Sequence, residues 1–369
     1  MKGTIYRQAN SSRWYLMIDV GYVDGKRKRD RYSFETKREA KERLIELNHQ
    51  LQQGTYTSPS KVTVGEWLTI WLEGRQAIAA TTRAGYQVDI RRIVKALGPR
   101  RLSQLTPAMV NAFYAELAKN LAPKTVKNTH ATLHRALADA VRQGVVARNV
   151  SDYAELPRAE RHEITVWTSD ELRSFLRYAE SHRLHPAFRL ACSTGLRRSE
   201  VLGMRWPSVN LDKGTAIVRD TVVPLAGEAV LRTGETKNRR SRRAVALDPK
   251  TVAVLRAHRL KQKEERLAAG PLWQDLDLCF TSEDGRPVKP DTFTRTWKRL
   301  AKAAGVPPLT PHAAARHTWA SLALSAGVPL VTVSKRLGHS SVSTTADIYG
   351  HLSEQHDREA AELVAEMFQ

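Results

Sequence analysis

The stretch LTPHAAARHTWAS places His312 four residues before Arg316, with His317 next and three alanines filling the gap. Three further stretches beyond Leu190 carry reactive side chains. They are STGLRRSEVLGMRWPSVNL with Arg197, GETKNRRSRRAVALD with Lys237, and RLGHSSVSTTADIYGHL with His339 and Tyr349. Guanidinium groups stay charged and grip two oxygens of an anion at once. Imidazoles titrate near neutral pH, and a tyrosine hydroxyl can act as a nucleophile. The chemistry at stake is therefore the handling of a bound anion. Each residue also has a plain structural reading. Arg197 could pair with Glu200, Lys237 could be solvated, His339 could cap a helix and Tyr349 could be a core aromatic.

Spacing says which elements must position these groups. Thr310-Pro311 stands as an N-cap followed by a first-turn proline, so His312 lies at the mouth of the helix that carries Arg316. On an ideal helix, residues four apart sit about 40° from each other and residues three apart about 60°, so either spacing shares a face. His317 points about 100° away from Arg316. Arg197 closes a glycine-containing turn that opens a helix. Lys237 lies in a basic hairpin before the strand-like RRAVAL, and GTAIVRDTVVPL is a second strand-like island. Ser169-Asp170-Glu171-Leu172 reads as a helix start. The C-terminal HLSEQHDREAAELVAEMFQ has an apolar stripe suited to a docking helix.

Residues 1–56 read as a small unit. Apolar and polar residues alternate in three runs separated by turn residues, which predicts a three-stranded antiparallel sheet. TKREAKERLIELNHQLQQG then has helical spacing. Lys26, Arg27, Lys28, Arg29 and Arg31 crowd one hairpin, and a basic β-hairpin can enter a DNA major groove. TYTSPSK is a polar linker. From Val62 to about Glu155 the pattern predicts a bundle of helices starting at Thr63, Thr81, Thr106 and Ala122-Pro123. Lys124, Lys127, Arg83, Arg91, Arg92 and Arg135 give it a basic face. LPRAERHEITVWT is a second linker. The fold class is multidomain, mainly α with small β parts: an N-terminal sheet plus helix, a helical bundle, and a mixed α+β last domain.

The chain has 369 residues, with Lys+Arg 59 against Asp+Glu 38 and a formal net charge of +21. That surplus favours a polyanionic partner, nucleic acid before an anionic membrane surface. Cys192 and Cys279 show neither a CxxC motif nor zinc-ligand spacing, so they read as reduced core residues. The N-terminal residues lack a continuous apolar run, and no segment approaches the length of a membrane span, which predicts a cytoplasmic protein.

The order TGLRxSE, then T-K-x-x-x-S-x-R-x-V, then a His/Arg-His-Thr helix, then LGHSS-x-x-TT-x-x-Y resembles the tyrosine recombinases, the phage-integrase family. The resemblance covers the whole chain. It implies an arm-type DNA-binding domain over 1–56, a core-type DNA-binding domain over 62–155 and a catalytic domain over 164–369. The arm-type domain sets the chain apart from the shorter relatives that resolve chromosome dimers. The family breaks a DNA phosphodiester with a tyrosine hydroxyl and keeps the bond as a 3′-phosphotyrosine. No metal or cofactor is implied, so cationic side chains must stabilise the transition state. The matching positions are Arg197 and Arg316 for the phosphate, Lys237 for the departing 5′-oxygen, His339 as a donor or proton shuttle, and Tyr349 as nucleophile. Glu200 is expected to pair with an arginine, Arg198 to face solvent or DNA, and His317 to be a packed, hydrogen-bonding histidine.

One departure stands out. The family pattern is His-x-x-Arg-His, and Ala313 occupies that histidine position. His312 stands one residue earlier, and the expectation is that the helix mouth absorbs the extra residue so that His312 still reaches the phosphate. The rival is a DNA-binding regulator of the same fold with weakened catalysis. A metal-dependent transposase would need an Asp/Asp/Glu set instead. The resemblance further implies double-stranded DNA with core-type and arm-type sites, a homotetramer on two duplexes, a host DNA-bending protein and an excision factor.

Overall fold

The computed structural model describes residues 3–368 apart from Asn10, 24–25, 54–60, 159–163, 234–241, 350–361 and Leu363. The chain divides into two compact units, Met1–Arg161 and His162–Gln369.

The first unit opens with strands β1 (Gly3–Arg7), β2 (Trp14–Val23) and β3 (Lys26–Phe34), antiparallel in that order. Helix α1 (Lys37–Gln52) starts at a Thr36–Glu39 capping box, which satisfies two otherwise unpaired N–H groups. Its Leu44 and Leu47 bury against Leu16 and Ile18 on one sheet face. Strand alternation then sorts the basic hairpin. Arg27, Arg29 and Arg31 fall on the opposite face with Tyr15 and Asp19, whereas Lys28 shares the parity of Tyr32 and Phe34. The Arg31 guanidinium lies 4.1 Å from the centroid of the Tyr15 ring. Arg27 Nε donates to Asp19 Oδ2 at 2.6 Å. Lys26 begins β3, and its side chain is outside the described residues.

Helices α2 (Val64–Glu73), α3 (Ala80–Leu97), α4 (Pro107–Ala118) and α5 (Pro123–Arg142) follow. Thr63 caps α2 and Thr106 caps α4, while Pro107 and Pro123 take first-turn positions where no N–H is needed. Helix α3 begins at Ala80, so Thr81 lies inside its first turn instead of capping it. Trp67, Leu68, Ile93, Phe113, Leu133 and Leu137 form the core. Buried Asp89 accepts from Thr129 and Thr132 at 3.0 and 2.8 Å, which joins α3 to α5. Part of the expected basic face is spent inside this bundle. Arg83 donates to the Leu72 and Arg75 carbonyls, and Arg92 pairs with Asp89. Lys124 stays exposed and Lys127 half-buried on the first turns of α5.

In the second unit, α6 (Ser169–Tyr178) starts at a Thr168–Glu171 capping box. Then come α7 (His185–Thr194), the short α8 (Arg198–Leu202), β4 (Val209–Asn210), β5 (Thr215–Val218), β6 (Thr221–Leu225), β7 (Glu228–Arg232) and β8 (Arg243–Ala246). Strands β4, β5 and β8 form one antiparallel sheet, and β6 and β7 form a hairpin. Helices α9 (Pro249–Ala269) and α10 (Pro290–Ala303) lead to a π-helical turn, His312–His317. After it come α11 (Thr318–Ser325), α12 (Leu330–Leu337) and α13 (Val342–Tyr349). Trp167, Phe175, Phe188, Phe293 and Trp297 centre the main core, and the free thiols of Cys192 and Cys279 are buried in it. Ala320, Val333, Leu337 and Tyr349 form a separate small cluster. Among the described residues, no helix is long and apolar enough to cross a membrane. The docking helix expected after Tyr349 lies largely outside the described residues.

Candidate active site

Two glycines with left-handed backbones set the frame. Gly195 ends α7 with φ 67°, and a Cβ built on it would come within 2.9 Å of Leu337 and 3.2 Å of Trp319. A side chain there would be strained and crowded together. This turn puts Arg197 at the N-cap of α8. Gly338 ends α12 with φ 68°, and a Cβ there would lie 2.7 Å from the Arg243 guanidinium.

The two arginines meet at the end of α12. Arg316 is 2% exposed and donates to the Gly195 carbonyl at 3.1 Å and the Leu337 carbonyl at 2.8 Å. Arg197 donates to the same Leu337 carbonyl at 3.4 Å and to the Gly338 carbonyl at 3.1 Å. The unpaired carbonyls at a helix C-terminus carry partial negative charge, which suits them to cations. Glu200 completes the anchoring. Its carboxylate accepts from the Arg197 backbone N–H and guanidinium, each at 2.9 Å, and from both terminal nitrogens of Arg243 at 3.1 and 2.8 Å. Burial opposes ionisation of Glu200, but the bonds and charge of Arg243 and the charge of Arg197 outweigh it. Its carboxyl is held below the usual range. Glu200 thus pairs with two guanidiniums, and with the Arg316 charge nearby three cations stand against one carboxylate, leaving a positive excess.

The helix around Arg316 departs from the expected geometry. The Thr310 hydroxyl accepts from the Ala313 N–H at 3.3 Å, so the N-cap is where the sequence put it. The helix mouth does not absorb the extra residue. The turn itself widens: Thr318 N–H bonds the Ala313 carbonyl, five residues back, and its hydroxyl bonds the same oxygen at 3.2 Å. A π turn of this kind holds one residue more than an α turn needs. It sets the His312 and His317 rings edge to face, with centroids 4.5 Å apart.

The remaining residues gather around this turn. His317 Nδ1 and Tyr349 Oη are 2.5 Å apart, and Tyr349 is 3% exposed. His339 Nδ1 is 2.7 Å from the Thr345 hydroxyl at the base of α13. Burial, then Arg316 and Arg197, pull His312 below the ordinary histidine value, and the same causes take His339 down to about 4. Burial, then His312 and Arg316, take His317 down to about 4. Burial raises Tyr349 to about 12 against the opposing pull of Arg316. Burial and Arg197 lower Arg316 to about 9, which still leaves it charged at neutral pH. The site is a set of neutral imidazoles and a phenol beside guanidiniums, and an entering anion would meet a net positive charge.

Arg197, His312, Arg316, His339 and Tyr349 therefore converge. Lys237 lies outside the described residues. Arg198, expected to face solvent or DNA, instead ties α8 to α10 by donating to the Pro290 carbonyl at 3.0 Å and the Thr294 hydroxyl at 2.6 Å. Arg243 was not singled out by sequence reasoning, although it is the arginine of S-x-R-x-V. Its place at the start of a short strand, on the same parity as buried Val245, was the available sign. Among the described residues, no group of three or more His, Cys, Asp or Glu side chains could hold a metal ion.

Comparison with known proteins gives three family matches. Residues 165–356 match the phage integrase family, residues 4–51 an arm DNA-binding domain, and residues 66–144 the SAM-like N-terminal domain of phage integrases. An integrase of Streptomyces ambofaciens is 30% identical over 358 residues, spanning 94% of this chain and 91% of the relative. A XerC-like tyrosine recombinase of Caldanaerobacter subterraneus is 28% identical over 389 residues, spanning 100% and 99%. Among solved structures, the Tn1549 transposon integrase in complex with transposon right end DNA superposes with a TM-score of 0.71 at 18% identity. That match covers 82% of this chain and 100% of the other.

Proposed function

The chain belongs to the phage integrase family, and from that premise we propose how its residues divide the work of a site-specific DNA recombinase. The enzyme cleaves and rejoins DNA through a 3′-phosphotyrosine and so integrates or excises a mobile element. Tyr349 Oη attacks the scissile phosphorus. The 5′-oxygen leaves with its electron pair and takes a proton from Lys237. A 5′-hydroxyl of another strand later attacks the phosphotyrosine and releases the tyrosine. Arg197 and Arg316 hold the non-bridging oxygens, and His312 and His339 donate to the same phosphate. No metal or nucleotide enters these steps. The observation that carries the assignment is the meeting of Arg197 and Arg316 on the Leu337 carbonyl, whose side chain packs with Tyr349. A phosphate there would supply the negative charge that three guanidiniums share too thinly.

DNA is the partner. Residues 1–56 would take arm-type sites through Lys26, Arg27, Lys28, Arg29 and Arg31. Residues 62–155 would grip core-type sites with Lys124 and Lys127, and residues 164–369 would carry the chemistry. One tyrosine per exchanged strand makes the working form a homotetramer on two duplexes. A host DNA-bending protein and an excision factor would bring arm and core sites together, in the cytoplasm of a bacterial host. The test uses a nicked suicide duplex bearing the core sequence taken from the direct repeat that flanks the element, incubated in EDTA. The wild-type protein should form a covalent adduct on a denaturing gel. Tyr349→Phe should bind at near wild-type affinity and form none, because only the attacking oxygen is gone. An adduct from the Phe variant would overturn the nucleophile assignment.

A further inference from the structure

We infer that His317 is a catalytic residue: it takes the proton from Tyr349 Oη as the tyrosine attacks and returns it on rejoining. The inference rests on the recombinase reading with Tyr349 as nucleophile. A phenol is a weak nucleophile until its proton has somewhere to go. Among the described residues, the acceptor in reach is Nδ1 of His317, 2.5 Å from Oη. The other candidate bases face elsewhere. His339 Nδ1 is engaged with Thr345, and the Arg316 guanidinium is already protonated at neutral pH. His312 sets its ring against His317.

The π turn is what makes this contact possible alongside His312. In an α-helix, residues five apart point about 140° away from each other. Closing the turn at five residues stacks them instead, so His312 fixes the His317 ring while that ring meets Tyr349. The electrostatics keep the pair idle without DNA. An imidazolium at His317 would face Arg316, His312 and His339, and burial disfavours it further, so the proton stays on Tyr349. A phosphate diester entering between the arginines brings the negative charge that makes the imidazolium tolerable.

The balance is simple. In cleavage the Oη–P bond forms and the P–O5′ bond breaks. The Oη proton moves to His317 Nδ1, and the leaving 5′-oxygen takes its proton from a separate acid. Rejoining runs the same transfers backwards, with His317 protonating the departing tyrosine.

The test is single-turnover adduct formation on the nicked core duplex by His317→Asn, whose side-chain amide can accept a hydrogen bond but takes no proton near neutral pH. The variant should be at least about a hundredfold slower than wild type, within the range for losing a general base, with unchanged affinity for the duplex. Its rate should climb with pH well past the point where the wild-type rate levels off, because solvent hydroxide must now do the work. A 5′-bridging phosphorothiolate, whose sulfur leaves without a proton, should not restore it. A wild-type rate in the Asn variant overturns the inference. So does a slowing by the same factor at every pH, which is what a merely structural role gives, or full restoration by the sulfur leaving group. Melting temperature and duplex affinity check that the variant is folded, and His317→Gln supplies a second amide if Asn misfolds. Failure of the wild-type protein itself to form an adduct would instead sink the recombinase reading, and this inference with it.

Discussion

Glu200→Gln isolates the charge that holds the arginine frame together. Glu200 is 5% exposed, and the Arg243 side chain bonded to it is 8% exposed. Glutamine keeps the shape and one acceptor oxygen, so it can satisfy one guanidinium, while its amide N–H group turns toward the other. Arg243 is then left as a buried cation without a counter-charge, and breaking such a pair from one side costs about 3–5 kcal/mol. Arg197 loses less, since it is part-exposed and keeps its carbonyl partners. For a unit the size of His162–Gln369, each kcal/mol lowers Tm by about 2–4 °C, so the variant should melt about 6–20 °C lower. The pH dependence has a fixed sign. The folded Glu200 carboxyl sits below its ordinary value. Its stabilisation is therefore complete above the unfolded value of about 4.3 and is lost as the pH falls through the folded value. Thermal unfolding of the full chain by circular dichroism should show the wild-type and variant melting temperatures widely separated at pH 7 and converging in acid. A difference at pH 7 of under about 1 °C would refute the reasoning, because one unpaired buried cation cannot cost so little.

Four further outcomes are expected. His312→Ala should slow adduct formation about ten- to a thousandfold, the scale of one lost phosphate donor, and an unchanged rate would leave Arg316 as that turn's phosphate-gripping group. Deleting Ala313 should convert the π turn to an α turn, with His312 three residues before Arg316 and cleavage retained. Cleavage slower than that of His312→Ala would mean the extra residue is needed and not simply accommodated. Removing residues 1–60 should abolish protection of arm-type sites in footprints and spare the core. Arg31→Ala, which strips the cation stacked on Tyr15, should weaken arm binding with a shallower salt dependence.

The site was legible where chemistry is written in local spacing. Thr63 does open α2, and α6 does begin at Ser169. The four ordered motifs carry residues that the fold brings together. Pairings between distant segments were not legible. Nothing near Glu200 shows that Arg243, 43 residues away, will share its carboxylate. Arg198 is as basic as its neighbour Arg197, and only the placement of α10 decides that it serves packing. The π turn escaped because alanines suit a tight α turn as well as a wide one. What decides is the simultaneous demand of Thr310 at one end and buried Arg316 at the other.

The small apolar cluster around Tyr349 has a consequence for how the nucleophile is released. Four buried residues, Ala320, Val333, Leu337 and Tyr349, hold α13 in place, apart from the aromatic core built on Trp167 and Trp297. Burying one such large side chain is worth about 1.5–3 kcal/mol, so opening this patch costs a fraction of what opening the main core would. Segments of this kind behave as independent opening units and set the low end of the stability range within a protein. In native-state hydrogen exchange, the amides of α13 should open well before those of α7, whose Phe188 and Leu190 belong to the main core. The tyrosine can then be withdrawn or presented many times while the phosphate-gripping frame stays folded.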